Sequence, residues 1–491
     1  MGTLSAPATR RDVAPRRDLF NRVLAFLTTI GVGVLLGVQY WTPNTRVVPV
    51  VAVLLVFGVA WRLDMAAAIN VLVFLLPYPK GTVFGNTNLA LILVVFVIWL
   101  LRLSLRMSPR ARSSPLNLPI FALTLWYILS FYNVTSTFAL ERAFQNFEVY
   151  LSCVLMYYLV INSVRTQRDL QRLHIAQLVT ALGVFVIAAW EARHAGKVLI
   201  PGLLDFTATA GHDFNTRDVR VGASFRDYEL LSEYCGLFFL LTIFLWVRAR
   251  TATRRALLTL FGIFNLYTMF TTVTRGVFVA LAFTLPYLLF TIRRHLNPVR
   301  FIAGAAAVTA LVLAMNFFVS TYTNSGDLFL RMSETRVVHG VVPEAREGAW
   351  LNAWKRALVH PILGQGPYYG EMVGYSWWWP HNAYLFIANL LGFPGLLFFL
   401  SILVGLAILL RPVVDDLRHR SYADSYLIIA RTQLFMFMLN ELKIDFLRNP
   451  VYTFQVWLMF ATWTAAYLVS RDEGVRAEFR TGTPPRQQLA A

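Results

Sequence analysis

The chain has 491 residues, of which 57% are hydrophobic and 14% charged, and its 44 Lys and Arg against 26 Asp and Glu give a formal charge of +18. Soluble domains carry roughly a quarter charged residues, so this composition excludes a soluble enzyme on a simple anchor and points to a surface that mostly faces lipid. The basic residues fall in short clusters between apolar runs, the pattern of topology signals, so nucleic acid is not expected as a partner.

In chain order, apolar runs predict membrane-crossing helices near 19–40, 46–61, 64–78, 87–104, 115–133, 145–163, 168–190, 230–248, 255–272, 276–292, 300–319, 382–410, 425–439 and 449–469. Runs of this length must satisfy their own backbone in lipid, and they lack the period-two alternation of barrel strands. The expected fold is therefore all-α, a polytopic transmembrane bundle of about 12–14 helices. Placing the N-terminus in the cytoplasm and alternating sides puts 27 of the 44 basic residues in short cytoplasmic segments and 16 on the far side, with Arg431 inside a helix. The positive-inside rule then sets both termini in the cytoplasm. The resulting divisions are a basic tail at 1–18, helices over 19–190, central helices over 191–319 with a far-side loop at 191–229, a large far-side loop with short helices at 320–381, helices over 382–470 and a polar cytoplasmic tail at 471–491. Arg10, Arg11, Arg16 and Arg17 precede the first run, and no small-residue cleavage pattern follows it, so that run reads as a retained helix. The two cysteines, Cys153 and Cys235, sit in apolar runs and cannot build a disulfide framework or a thiolate metal site.

Chemistry concentrates in the far-side segments. His381-Asn382 opens an apolar helix that carries Gly392 and Gly395 about three turns deeper, where small residues permit close packing. Upstream, Arg346, Trp350 and Trp354 recur at intervals of four, one face of a short helix lying on the membrane, before the turn-forming His360-Pro361-Ile362-Leu363-Gly364-Gln365-Gly366. The run Trp377-Trp378-Trp379 suits an interfacial aromatic belt. Thr274-Arg275-Gly276 forms the tip of a tight hairpin between two helices. Arg220, Gly222 and Arg226 lead into the helix of Glu229 and Glu233, whose acids also suit a helix start. Arg431 inside its helix, and Lys443 and Arg448 in the last far-side connection, are expected to be structural. No Asp-x-Asp or His-x-x-x-His spacing occurs on the far side, so neither metal nor cofactor is expected.

Taken together, the His-Asn pair separated by nine residues from Gly392-x-x-Gly395, the Thr-Arg-Gly hairpin at 274–276, and Arg346 through Trp350 to Pro361-x-x-Gly364-x-Gly366 resemble the O-antigen ligase and O-antigen polymerase superfamily of bacterial envelope glycan transferases. The resemblance covers roughly residues 215–410. It implies a GT-C-like inner-membrane enzyme that uses an undecaprenyl-diphosphate-linked glycan as donor on the periplasmic face and a glycan, lipid or protein as acceptor, in contact with membrane lipids. Guanidinium groups suit a diphosphate because they offer bidentate hydrogen bonds and stay charged. Arg275 and Arg346 are the first candidates for such a clamp, with Arg220 third. Arg226, Asn382, Glu229 and Trp350 complete the expected substrate site, and His381 is either the base for the acceptor hydroxyl or a donor to the diphosphate.

Two other classes compete. A lipid-linked-oligosaccharide flippase or secondary transporter would have a similar helix number, but such proteins tend to show internal repeats, and the two halves of this chain share no similarity. A scaffold subunit would need no arginines grouped with a histidine. Between ligase and polymerase the motif is common to both, and the length and helix number lean toward polymerase.

Overall fold

The structure, a computed structural model, describes residues 58, 61, 64–77, 87–194, 220–295, 298–323, 325–333, 337–338, 342–368, 380–419 and 421–481. The expected span at 19–40, all but two residues of that at 46–61, the N-terminal arginines, most of the 191–229 loop, the Trp377–Trp379 run and the end of the C-terminal tail lie outside them. Each of the other twelve expected spans is a helix: α1 (Met65–Leu75), α2 (Thr87–Ser104), α3 (Asn117–Leu129), α4 (Thr137–Ser163), α5 (Gln167–Arg193), α6 (Tyr228–Arg248), α7 (Ala252–Thr271), α8 (Arg275–Thr291), α9 (Pro298–Tyr322), and, after the large loop, α12 (Ala383–Leu409), α13 (Tyr422–Asn440) and α14 (Pro450–Thr481). The loop itself holds α10 (Leu328–Ser333), α11 (Glu344–Val359) and a short antiparallel hairpin of β1 (Val337–Val338) and β2 (Val342–Pro343). Among the described residues, stretches within α4, α5, α6, α9 and α12 are long and apolar enough to cross a membrane by themselves.

Hydropathy and helix length part company where caps decide. The expected span at 145–163 begins eight residues earlier, at Thr137, because Ser136 accepts from the Ala139 N–H at 3.1 Å and starts the helix in a polar stretch. At the other end, α14 runs on through Arg471 to Thr481, well into the expected polar tail. Length in lipid fixes which residues cross, while hydrogen bonds at the ends fix where winding starts and stops.

Two helices show the extremes of burial. α6 is buried nearly all round, over Leu230, Leu231, Tyr234, Leu237, Leu240 and Phe244 among others. α9 buries little more than Met315 and Val319 and turns Ile302, Leu313 and Phe317 outward, the lipid-facing pattern. Inside the bundle, side-chain amides tie helices together: Gln433 on α13 donates to the Leu237 carbonyl at 2.8 Å and accepts from the Trp463 indole N–H at 3.0 Å.

Where α12 meets the large loop, backbone packs directly on backbone. Gly392 has φ +72°, a left-handed kink within α12, and there the Phe393 N–H donates to the Pro361 carbonyl at 2.8 Å. Gly364 (φ +66°) faces it, with Gln365 N–H donating to Asn389 O at 2.8 Å and Gly366 N–H to Leu390 O at 3.2 Å. The Trp126 indole N–H bridges both strands of chain, reaching Leu391 O at 2.9 Å and Ile362 O at 3.2 Å. α11 lays Ala349, Ala353 and Ala357 against α12, and Asn389 donates to Ala353 O at 2.9 Å. The expected membrane-lying face of α11 is thus in part an alanine face docked on α12, with Trp354 outward and edge-on to Phe393. A methyl at 392 would press against the Ile362 carbonyl. Gly392→Ala is therefore predicted to cost at least about 1–2 kcal/mol from the left-handed backbone alone, and Gly304→Ala, which opens onto empty space, should be near neutral. Thermal unfolding of the two detergent-solubilised variants checks this; equal midpoints would contradict it.

Candidate active site

Helix alternation brings the ends of several elements to one end of the bundle: the start of α6, the α7–α8 tip, the start of α11, the start of α12 and the α13–α14 connection. The basic segments near residues 110, 165, 248, 419 and 472 gather at the opposite end, where Arg112 pairs with Asp472 at 2.6 Å, Arg165 donates to Arg110 O at 2.6 Å and Arg248 donates to His419 O at 2.8 Å.

The hub of the first end is Glu229. Asp227 caps α6, its Oδ1 accepting from the Glu229 and Leu230 N–H groups at 2.9 and 3.1 Å. This start aims Glu229 at three cationic or imidazole partners. Arg346 Nη2 lies 2.6 Å from Glu229 Oε1, Arg448 Nη2 lies 2.8 Å from Oε2 and 2.7 Å from Asp227 Oδ1, and His381 Nδ1 lies 3.3 Å from Oε2 and 2.9 Å from Arg448 Nη1. Glu229 and Arg448 side chains are 10% exposed, Arg346 20% and His381 34%, so the imidazole is the member most open to a ligand.

The remaining expected residues surround this hub. Arg346 also donates to the Lys443 carbonyl, and the Lys443 ammonium donates to the Gly276 carbonyl, which ties the Thr274-Arg275-Gly276 tip to the α13–α14 connection. A side chain at Gly276 would displace the Lys443 ammonium. Arg275 turns to the Arg331 carbonyl at 2.7 Å, on the end of α10. Arg220 is buried over the Tyr228 ring at 3.2 Å and donates to Thr272 O and Thr274 Oγ1, both at 3.2 Å, so it fastens the hairpin tip from behind. Asn382 caps α12 through the Leu385 N–H at 3.0 Å and donates to Leu442 O at 2.9 Å, which fixes the turn that presents His381. Trp350 lies one turn beyond Arg346, its indole N–H buried without an acceptor among the described residues. Arg226 is exposed on the surface of the turn before α6.

Backbone strain marks the same end. Of the five described non-glycine residues with positive φ, Ala223, Arg226, Val273 and His381 lie in the turns that lead into α6, α8 and α12. Such conformations persist where surrounding structure over-determines them, and they concentrate at working sites.

Sequence reasoning missed Asp227 and read Arg448 and Lys443 as structural. The Glu441-x-Lys443-x-Asp445-x-x-Arg448 pattern in a short far-side connection was the available signal. Asp227 and Glu229 outweigh the effect of burial on Arg448 and hold its guanidinium firmly charged. Burial draws Lys443 down to about 8 and pushes Asp445 up to about 7, and burial with neighbouring acids pushes Glu441 well above the usual carboxylate range. Burial pulls Arg220 down to about 10, which leaves it protonated at neutral pH.

Removing one member of a buried ionic group leaves its partners uncompensated, at a cost of about 3–5 kcal/mol. Glu229→Ala is predicted to destabilise by that amount, and Glu229→Gln by less, because its amide oxygen still accepts from one guanidinium. Thermal unfolding in detergent measures both; a loss below about 1 kcal/mol for alanine would mean that solvent serves the two guanidinium groups equally well.

The profile of the O-antigen ligase family matches residues 257–400. The match takes in the Thr274–Gly276 tip, Arg346 and His381, while Glu229 and Arg448 lie outside it on either side. No curated protein matches the chain. The matched stretch, whose motif residues gather at one end of an all-α membrane bundle, supports the O-antigen ligase/polymerase superfamily.

Proposed function

We propose that the protein is an inner-membrane glycan transferase that takes an undecaprenyl-diphosphate-linked glycan as donor and works on the periplasmic face, at the bundle end opposite its basic loops. The observation that carries this reading is the convergence of Arg346, Arg448 and His381 on Glu229 beside the Arg275 hairpin.

In the reaction, the acceptor hydroxyl oxygen bonds to the anomeric carbon, and the bond from that carbon to the diphosphate breaks. The electron pair leaves with undecaprenyl diphosphate, and the hydroxyl proton is released. Negative charge grows on the leaving oxygens, so guanidinium groups already held in place stabilise the transition state more than the ground state. Each guanidinium has five N–H donors, so binding to Glu229 or a carbonyl leaves others for phosphate oxygens. In this assignment Arg275 and Arg346 supply the clamp without a metal, Arg220 holds the hairpin that carries Arg275, and Glu229 sets the spacing of Arg346 from His381. Asn382, Trp350 and Arg226 border the path of the glycan. The acceptor is a second lipid-linked glycan, a lipid or a protein.

Placement of the basic loops at the other end supports the periplasmic assignment through the positive-inside rule. A flippase would need access to a cationic cavity from both faces, whereas the cationic hub described here belongs to one end.

Reconstitution with an undecaprenyl-diphosphate glycan and candidate acceptors tests the proposal. A ladder of products would identify a polymerase and a single shift of one acceptor a ligase. Arg275→Ala and Arg346→Ala are each predicted to abolish transfer while membrane insertion stays intact, and lysine at either position to rescue poorly because it lacks the planar fork. Transfer at the wild-type rate by both alanine variants would remove the clamp from the mechanism.

A further inference from the structure

We infer that Arg448 is a positioning residue that fixes the proton of His381 on Nε2, so that His381 meets the substrate as a hydrogen-bond donor to the diphosphate and not as the base for the acceptor hydroxyl. The inference rests on the proposed donor chemistry for its ligand, and on geometry alone for the state of the imidazole.

The His381 Nδ1 edge faces inward, with Arg448 Nη1 at 2.9 Å and Glu229 Oε2 at 3.3 Å. A guanidinium nitrogen only donates, so the shorter contact requires a lone pair on Nδ1. A proton on Nδ1 would set two N–H groups against each other at 2.9 Å. It would gain only the longer approach, at 3.3 Å, to an oxygen that already accepts from Arg448 Nη2 at 2.8 Å. Both carboxylate oxygens are in fact served by guanidinium groups, Oε1 by Arg346 and Oε2 by Arg448. Glu229 therefore does not need the imidazole as a donor, and the arrangement differs from an acid–histidine pair in which the carboxylate orients a basic nitrogen.

With Nδ1 accepting, the neutral ring carries its proton on Nε2, and Nε2 makes no hydrogen bond to any described residue. His381 is one-third exposed and its backbone is held in the left-handed region at φ +45° by the Asn382 cap and by the Ala383 N–H, which donates to Glu441 O and Ile444 O at 2.9 and 3.0 Å. The ring thus offers one outward N–H beside two guanidinium groups, a donor set suited to phosphate oxygens. Nε2–H has no lone pair with which to take a proton. In the transfer step the hydroxyl proton goes to an oxygen of the departing diphosphate, which gains one negative charge as the bond to the anomeric carbon breaks.

Nitrogen-15 NMR of histidine-labelled protein in nanodiscs reads the tautomer directly, with the His381 signals assigned by their loss in His381→Gln. The wild-type protein is predicted to show His381 protonated on Nε2 with Nδ1 bare, and Arg448→Met to shift the proton toward Nδ1, where Glu229 can accept it. A wild-type Nδ1–H signal assigned to His381 overturns the inference whatever Arg448→Met shows. Binding of undecaprenyl diphosphate to the same nanodiscs tests the ligand: glutamine places an N–H near the Nε2 position and asparagine near Nδ1. His381→Gln should bind within about threefold of wild type and His381→Asn about tenfold or more weakly, the scale of one hydrogen bond to a charged group. Equal loss in both variants overturns the donor role. An Nε2–H wild type in a protein that transfers no glycan to any acceptor would instead refute the proposed function and leave the tautomer standing.

Discussion

The structure depends on one buried carboxylate. Two guanidinium groups brought within hydrogen-bond reach of one point in a half-buried site repel each other, and no packing of apolar side chains can compensate for that. Glu229 resolves the conflict by giving one oxygen to Arg346 and the other to Arg448. In doing so it links three parts of the chain more than a hundred residues apart: the start of α6, the start of α11 and the connection before α14. The site exists as a unit because this carboxylate is there to be shared.

The surrounding fold makes that sharing geometrically possible. Asp227 and Asn382 cap the two helices whose first turns present Glu229 and His381, and the same two side chains reach across, Asp227 to Arg448 and Asn382 to Leu442. Below them, the contact of Gly392 with the Pro361–Gly366 turn binds the large loop to α12 through backbone hydrogen bonds. The glycine motif is therefore more than a packing surface for another helix. It is a socket for the returning chain, which holds α11, and with it Arg346, against the start of α12.

Much of this was legible in the sequence. Apolar runs located every described span, since the length needed to cross lipid leaves a plain signature. The Arg275 hairpin, Arg346 and His381 could be grouped by motif, and they meet near one point. The rest was not legible for physical reasons. The polar first turns of α4 and the extension of α14 lie outside any hydropathy signal, because caps and i to i+4 bonds, not lipid, hold them. Asp227 and Arg448 were hidden because an acid before a helix and a basic residue in a short loop are ordinary features taken singly. Only their distance of 2.7 Å shows that they belong to the site. Nor could the sequence choose between base and donor for His381, since that depends on which atom faces its Nδ1.

The charge pattern differs between the ends of one bundle: basic loops at one, and a carboxylate-ordered cluster of cations with an open imidazole edge at the other. In the proposed function this cluster is the seat of a lipid diphosphate. Photo-crosslinking with a diazirine-bearing undecaprenyl diphosphate, followed by peptide mapping, tests it most directly. Labelled peptides are expected from the segments around 220–229, 344–356 and 380–389. Label confined to the opposite end, around 102–112, 248–255 or 411–420, would contradict it.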